Sequence, residues 1–263
     1  MWIDSHCHLD AAEFEGSTKT VVQQAQAVGV TTIVVPAVER ANFAAVAQLA
    51  QEFALCRYTL GIHPLFVPQA QEDDLILMRE AVQAALSDPQ FVGIGEIGLD
   101  YFVPLLRTPE MRVKQERFYS EQLKIARDFA LPVLLHVRRS QDMVLKHLRR
   151  ISVPSGIAHA FNGSVQQANQ FLAANCKLGF GGAMSFTRAL QIRRLAQELP
   201  LTSIVLETDA PDISPAWLHP AANNPAQLPR LGQVLAELRS MDLQEIAAQT
   251  SANVEQVLPR LKN

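Results

Sequence analysis

Cysteine is scarce in this chain. Cys7, Cys56 and Cys176 are the only three in 263 residues, too scattered for a disulfide framework, and an odd number leaves one thiol unpaired. A reducing compartment is the expectation. Positive charge is not in excess either. There are 23 Lys and Arg against 26 Asp and Glu, a formal net charge of -3, far from the pI above about 9 that marks a general nucleic-acid binder. Any contact with nucleic acid would be local. No run reaches the roughly 18 uninterrupted apolar residues of a membrane helix. The opening Met1-Trp2-Ile3-Asp4-Ser5-His6 has no basic segment followed by an apolar stretch and a cleavage site. The expected setting is therefore the cytoplasm, with no membrane partner. Also missing are internal repeats, low-complexity tracts, an interdomain linker, and the glycine-rich turn that a dinucleotide fold carries after its first strand. Met and Phe residues fall at core spacings and suggest no organic cofactor.

Core material is plentiful. Hydrophobic residues make up 48% of the chain and charged residues 19%, enough to bury a large core. After an opening strand carrying His6 and His8, short β-branched runs are expected as strands at 30–36, 58–63, 91–96, 132–136, 156–159, 176–179 and 203–208. Helical patterns at 18–29, 41–54, 73–87, 112–129, 141–150, 165–174 and 190–199 separate them. Further helices are expected at 231–238, 243–249 and 254–261. Such crossovers imply parallel pairing, and eight strands close a barrel of about 250 residues. The predicted fold is an α/β (β/α)8 TIM barrel, one domain over 1–263, and a doubly wound sheet is the alternative. The proline-rich segment 210–229 has the composition of a linker, but its place after strand eight marks it as an active-site loop.

Within Asp4-Ser5-His6-Cys7-His8-Leu9-Asp10, two imidazoles are separated by one residue. On a strand they would project to the same face, which is half of a metal site. His63, Glu96, His136, His159 and Asp209 fall at or just after other strand ends, so all belong to the C-terminal mouth where barrel enzymes assemble their chemistry. Singly, each has a plain explanation: a strand-end histidine such as His136 is commonly a hydrogen-bonded cap, and Asp209 before Ala210-Pro211 a turn residue. Together, Glu96 and Asp209 would repel and the imidazoles would lack partners unless a cation were present. His6, His8, Glu96, His136, His159 and Asp209 exceed what one tetrahedral ion needs. Two divalent ions are the expected count, and such pairs polarise substrate and supply hydroxide near neutral pH. Asp209 is the expected catalytic residue, binding one ion and taking the proton from water. Imidazole-rich ligation suits Zn²⁺ or Mn²⁺ better than Mg²⁺.

Around this centre, His63 is a candidate substrate contact. Arg138, facing inward with His136, is a candidate phosphate ligand. The amides of the Asn162-Gly163-Ser164 turn are a candidate anion cradle at a helix start. Asp4, one step deeper on the inward face, is a candidate for orienting a ligand. His147, in a basic helix, is expected to be solvated, and His219 to lie in a loop.

Several of these runs resemble the TatD family of metal-dependent hydrolases within the amidohydrolase superfamily. They are His6-Cys7-His8, Gly61-Ile62-His63-Pro64, Gly95-Glu96-Ile97-Gly98-Leu99-Asp100, His136 after Pro-Val-Leu-Leu, His159-Ala160-Phe161-Asn162-Gly163-Ser164 and Glu207-Thr208-Asp209-Ala210-Pro211. Gln115, Phe118 and the Gln122-Leu123 pair are further marks. The resemblance implies a TIM barrel in which His6, His8, Glu96 and Asp209 hold one ion, and Glu96, His136 and His159 the other. It also implies nuclease activity that trims DNA from 3′ ends, and an alternative action on the ester of mischarged tRNA. Two departures stand out. Ala160 occupies a position that is usually cysteine, and Ala222-Asn223-Asn224-Pro225 replaces an Arg-Asn-x-Pro run. Asn223 matches that motif and is a candidate substrate contact, while the missing arginine removes a phosphate clamp and weighs against DNA. The leading expectation is a monomeric deoxyribonuclease. A metal-dependent esterase or amidohydrolase is the alternative. A non-catalytic metal- or nucleic-acid-binding protein is disfavoured because all six ligand positions are filled.

Overall fold

A computed structural model describes residues 1–262. Eight parallel strands run in the order of the sequence: β1 Trp2–Asp4, β2 Val30–Pro36, β3 Cys56–Leu60, β4 Phe91–Asp100, β5 Val133–Arg138, β6 Gly156–Ala158, β7 Cys176–Phe180 and β8 Ile204–Leu206. The first and last strands meet where Ser5 N donates to Leu206 O at 3.1 Å. The helices between them are α1 Thr18–Ala27, α2 Phe43–Glu52, α3 Glu72–Ala85, α4 Pro109–Asp128, α5 Gln141–Arg150, α6 Val165–Ala173 and α7 Leu190–Glu198, with α8 Leu228–Arg239 and α9 Leu243–Val257 completing the chain. The protein is a TIM barrel.

Two apolar layers follow from strand alternation. One buried cluster joins Ile3, Val34, Val92, Leu134, Ile157 and Val205 from six strands with Val254, Val257 and Leu258 from the end of α9. Alternation puts Leu134 and His136, Ile157 and His159, and Val205 and Glu207 on common faces. This cluster is therefore the floor beneath the polar mouth, closed from below by α9. The much larger second cluster lies between strands and helices, with Trp2 against Gly232 of α8.

Four expectations change. β4 does not stop at Glu96; Ile97 pairs with Leu135 and Leu99 with Val137, so the pairing carries the strand to Asp100. β1 ends at Asp4, two residues before His6, so strand alternation does not govern His6 and His8. The two C-terminal helices expected at 243–249 and 254–261 are instead the single α9 and a short 3₁₀ turn. The polar residues between them do not break the helix because Thr250 Oγ1 donates to Ile246 O at 2.8 Å and Asn253 Nδ2 to Leu201 O and Ile204 O. Finally, His147 is buried rather than solvated. Its Nδ1 lies 2.7 Å from Ser120 Oγ and its Nε2 3.2 Å from Glu116 Oε2, which satisfies both ring nitrogens between α4 and α5.

Candidate active site

The short strands end at the mouth and the segments after them carry the polar groups. Glu96 lies within β4 and His136 within β5. His159 follows β6 by one residue, His63 follows β3 by three and Asp209 follows β8 by three. Backbone hydrogen bonds tie the two ends of the barrel together here: Asp209 N donates to His6 O at 2.8 Å and His8 N to Ala210 O at 2.8 Å. Asp209 sits at φ 54°, the left-handed region that aspartate tolerates better than most non-glycine residues.

One carboxylate is at the centre. Glu96 Oε2 lies 3.1 Å from His6 Nε2 and 3.5 Å from His8 Nε2. Its other oxygen, Oε1, lies 3.0 Å from His136 Nδ1, 3.4 Å from His159 Nε2 and 3.5 Å from His63 Nε2. Asp209 Oδ1 stands 3.6 Å from both His6 and His8. Three groupings could each hold an ion: His6 with His8 and Asp209, His6 with Glu96 and His159, and His63 with Glu96 and His136. Five of the six expected ligands, His8, Glu96, His136, His159 and Asp209, line one cavity of about 930 Å³, and His6 is buried behind them against Glu96.

The electrostatics match a cation site. Burial lowers the His6 pKa to about 3, helped by the neighbouring His159, and burial lowers that of His63 to about 4. For His8 and His159 burial acts in the same direction, but Glu96 and Asp209 outweigh it and raise them to about 9 and about 10. Burial would raise Glu96, yet the imidazoles around it hold it well below the usual carboxylate range. Burial lifts Asp209 to about 6 against the pull of His159 and His8. Without a cation, the charges of Glu96 and Asp209 favour the protonated form of His8 and His159. The buried His6 Nδ1 and His159 Nδ1 lack hydrogen-bond partners.

Two supporting carboxylates escaped the sequence reading. Asp100 Oδ2 lies 3.1 Å from His136 Nε2, leaving Nδ1 to face Glu96. Glu207 accepts from Ala160 N at 2.5 Å, lies 3.5 Å from His159 Nδ1, and packs against the open face of Gly179. Carboxylates behind ligand imidazoles orient them and raise their basicity. The available signal was their place in the motif runs, Asp100 closing Gly95-Glu96-Ile97-Gly98-Leu99-Asp100 and Glu207 opening Glu207-Thr208-Asp209.

The remaining candidates divide. His63 Nδ1 accepts from Leu65 N at 3.1 Å, so in the neutral ring the proton is on Nε2, and the tip facing the cavity donates. Arg138 is exposed at the rim, its guanidinium 4.0 Å from the Phe102 ring centre with Arg139 at 4.7 Å, and both arginines line the cavity. Asn162 lines it too. One amide of the expected anion cradle is taken: Ser164 N donates to Gln167 Oε1, while Gln167 N donates to Ser164 Oγ, in the capping box of α6. Asn223 is not at the cavity. It is buried, its Nδ2 donating to Thr208 O at 2.7 Å and Ile213 O at 3.4 Å, and so it braces the loop that carries Asp209. Asp4 likewise reaches no imidazole. Its carboxylate accepts from Thr208 N at 2.9 Å, Thr208 Oγ1 at 2.6 Å and His6 N at 3.3 Å, because β1 ends there.

Residues 3–259 match the family described as TatD related DNase. The chain belongs to the TatD family of metal-dependent hydrolases. It is 38% identical over 247 residues to the metal-dependent hydrolase YjjV of Escherichia coli K12, covering 94% of this chain and 93% of that protein. It is 31% identical to the 3′-5′ ssDNA/RNA exonuclease TatD of Klebsiella pneumoniae, with 95% of each covered. The crystal structure of E. coli YjjV matches with a TM-score of 0.92 at 37% identity over 98% of each chain. The TatD barrel agrees with the resemblance read from the motifs, and its mouth holds buried His, Glu and Asp groups able to bind metal. Among the described residues, no helix is long and apolar enough to cross a membrane.

Proposed function

We propose that this TatD protein is a two-metal phosphodiesterase that removes nucleotides from the 3′ ends of DNA. The observation that carries this reading is the division of Glu96. One oxygen faces His6 and His8, and the other faces His136 and His159. A carboxylate shared in this way fits a bridge between two ions, with Asp209 completing the first set. Ions held there would polarise a phosphoryl oxygen and make hydroxide available near neutral pH.

The chain's own residues supply the rest. Asp209, whose carboxylate faces His6 and His8 across 3.6 Å, is the group placed to take the proton from water. His63 Nε2–H is placed to donate to an oxygen of the substrate. Asp100 holds the His136 ring across 3.1 Å, and Glu207 stands 3.5 Å behind the His159 ring. Arg138 and Arg139 offer positive charge to phosphate at the rim. The nuclease named in Klebsiella pneumoniae, alike over 95% of both chains, supports the choice of bond. A cytoplasmic monomer is part of the same reading, in keeping with three buried free thiols.

The test is metal analysis coupled to digestion of 3′-end-labelled single-stranded DNA. Metal-dependent release of labelled mononucleotide is expected, and a metal-loaded protein that leaves the label on the strand refutes the nuclease. A second reading has its own support. Asp10, Glu13 and Asp212 line the same cavity and disfavour a continuous polyanion, which favours a carboxylic ester or amide. Comparing DNA, mischarged tRNA and small esters under one metal condition separates the two.

A further inference from the structure

A second cavity of about 920 Å³ opens beside the metal cavity, between the loops that follow β7 and β8. The two adjoin, with Glu13, Asn162, Pro211 and Asp212 lining both. The walls of the second cavity are firmly built. Ser185 Oγ accepts from Ala216 N at 2.7 Å and donates to Gly182 O at 2.6 Å. Gly182 packs against the Ile213 carbonyl so closely that no side chain fits.

Its distinctive feature is an aromatic surface. The Phe186 ring lies 5.9 Å from the His219 ring at an interplanar angle of 78°, and the Arg188 guanidinium stands 5.1 Å from the Phe186 ring centre. Phe186 is half-buried and Arg188 exposed. The same pairing occurs on the other flank of the metal cavity, where Arg138 and Arg139 stack on Phe102. Phe102 follows β4 and Phe186 follows β7, three strands round the barrel. Two ring-and-guanidinium platforms therefore flank the centre where a bond would be cut.

Planar π-systems stack on such platforms regardless of base identity. The carboxylates of Glu13 and Asp212 at the junction suit the N–H donors of a base edge. Ala222, lining the second cavity with only a methyl group, keeps it wide enough for a ring. We infer that the second cavity seats one nucleobase next to the scissile phosphate, so that a substrate places one base on the Phe186 platform and its neighbour on Phe102. This subsite rests on the nucleolytic reading of the metal centre.

The test is equilibrium binding to the metal-loaded protein of an uncleavable thymidine dinucleotide, with methylene in place of the bridging 3′ oxygen, and of thymidine 3′-monophosphate. The dinucleotide is expected to bind about tenfold more tightly, the scale of one base–aromatic stack. Phe186→Leu, which keeps apolar bulk but removes the ring, and Ala222→Trp, which fills the cavity, should each bring the affinity ratio toward one. Phe186→Tyr should restore it. A wild-type ratio near one, or a ratio that survives both Phe186→Leu and Ala222→Trp, overturns the subsite. Digestion of end-labelled DNA is scored separately. A tenfold ratio lost in both variants supports the subsite even where DNA is not cut, and that combination faults the reaction alone.

Discussion

Asp209 combines three properties at one position: a left-handed backbone at φ 54°, burial, and a carboxylate oxygen 3.6 Å from two imidazoles. Asp209→Asn keeps an oxygen for a metal but cannot take a proton. Hydrolysis by this variant should fall by about 10²- to 10⁴-fold while metal analysis finds most of the metal still bound; near wild-type turnover would remove Asp209 from the base role. Asp100 gives a second prediction, on stability. Burial pushes its pKa up, and hydrogen bonds from His136 and from the Val103 and Phe102 amides outweigh that effect, lowering it from the usual 3.8 to about 2. The unfolded chain then binds more protons than the folded one in that interval, so the stabilisation is complete above 3.8 and is lost as pH falls toward 2. Urea unfolding of the metal-free protein should show the advantage of wild type over Asp100→Asn shrinking by about 2 kcal/mol across that interval. A constant difference would mean that Asp100 is not held ionised. The convergence of His6, His8, Glu96, His136, His159 and Asp209 was legible because each falls at or just after a strand end, and in a barrel those ends share one face. Asp100 and Glu207 were not, because a carboxylate one layer back looks like any strand-end acid until the ring it supports is located. Asn223 misled in the opposite sense: its amide serves the backbone of its own loop.

At the scale of elements, the join between α9 and β8 is the clearest place to intervene. Asn253 is buried, and its amide satisfies the carbonyls of Leu201 and Ile204 at 2.8 and 2.7 Å. Asn253→Ala leaves both carbonyls without that donor and should destabilise the fold by about 1–3 kcal/mol, measured by chemical denaturation. A loss within experimental error would mean that water replaces the amide at no cost. The strand and helix alternation of the barrel was visible as β-branched runs between helical periods. Element ends were less so. β4 runs on to Asp100 because β5 pairs with it, and α9 continues through Thr250 and Asn253 because their polar groups find partners in its own turn and across the barrel floor. Both outcomes depend on neighbours far away in sequence, which local pattern does not contain.

For the molecule as a whole, the mouth draws its metal-binding groups from segments at or after β1, β4, β5, β6 and β8, so an ion there would fasten strands that are far apart in sequence. Divalent metal at a hundred times its Kd should raise unfolding free energy by about 2.7 kcal/mol, seen as a higher Tm that a chelator reverses. An unchanged Tm would mean that metal binds no better to the folded chain than to the unfolded one. That effect does not reveal how many ions are present, and the central claim is that Glu96 stands between two. Anomalous X-ray diffraction from crystals of the metal-loaded protein measures this directly. Two peaks about 3.5–4 Å apart, one beside His6, His8 and Asp209 and the other beside His136 and His159, with Glu96 between them, are the predicted result. A single peak at saturating metal, or two peaks that do not share Glu96, would contradict it.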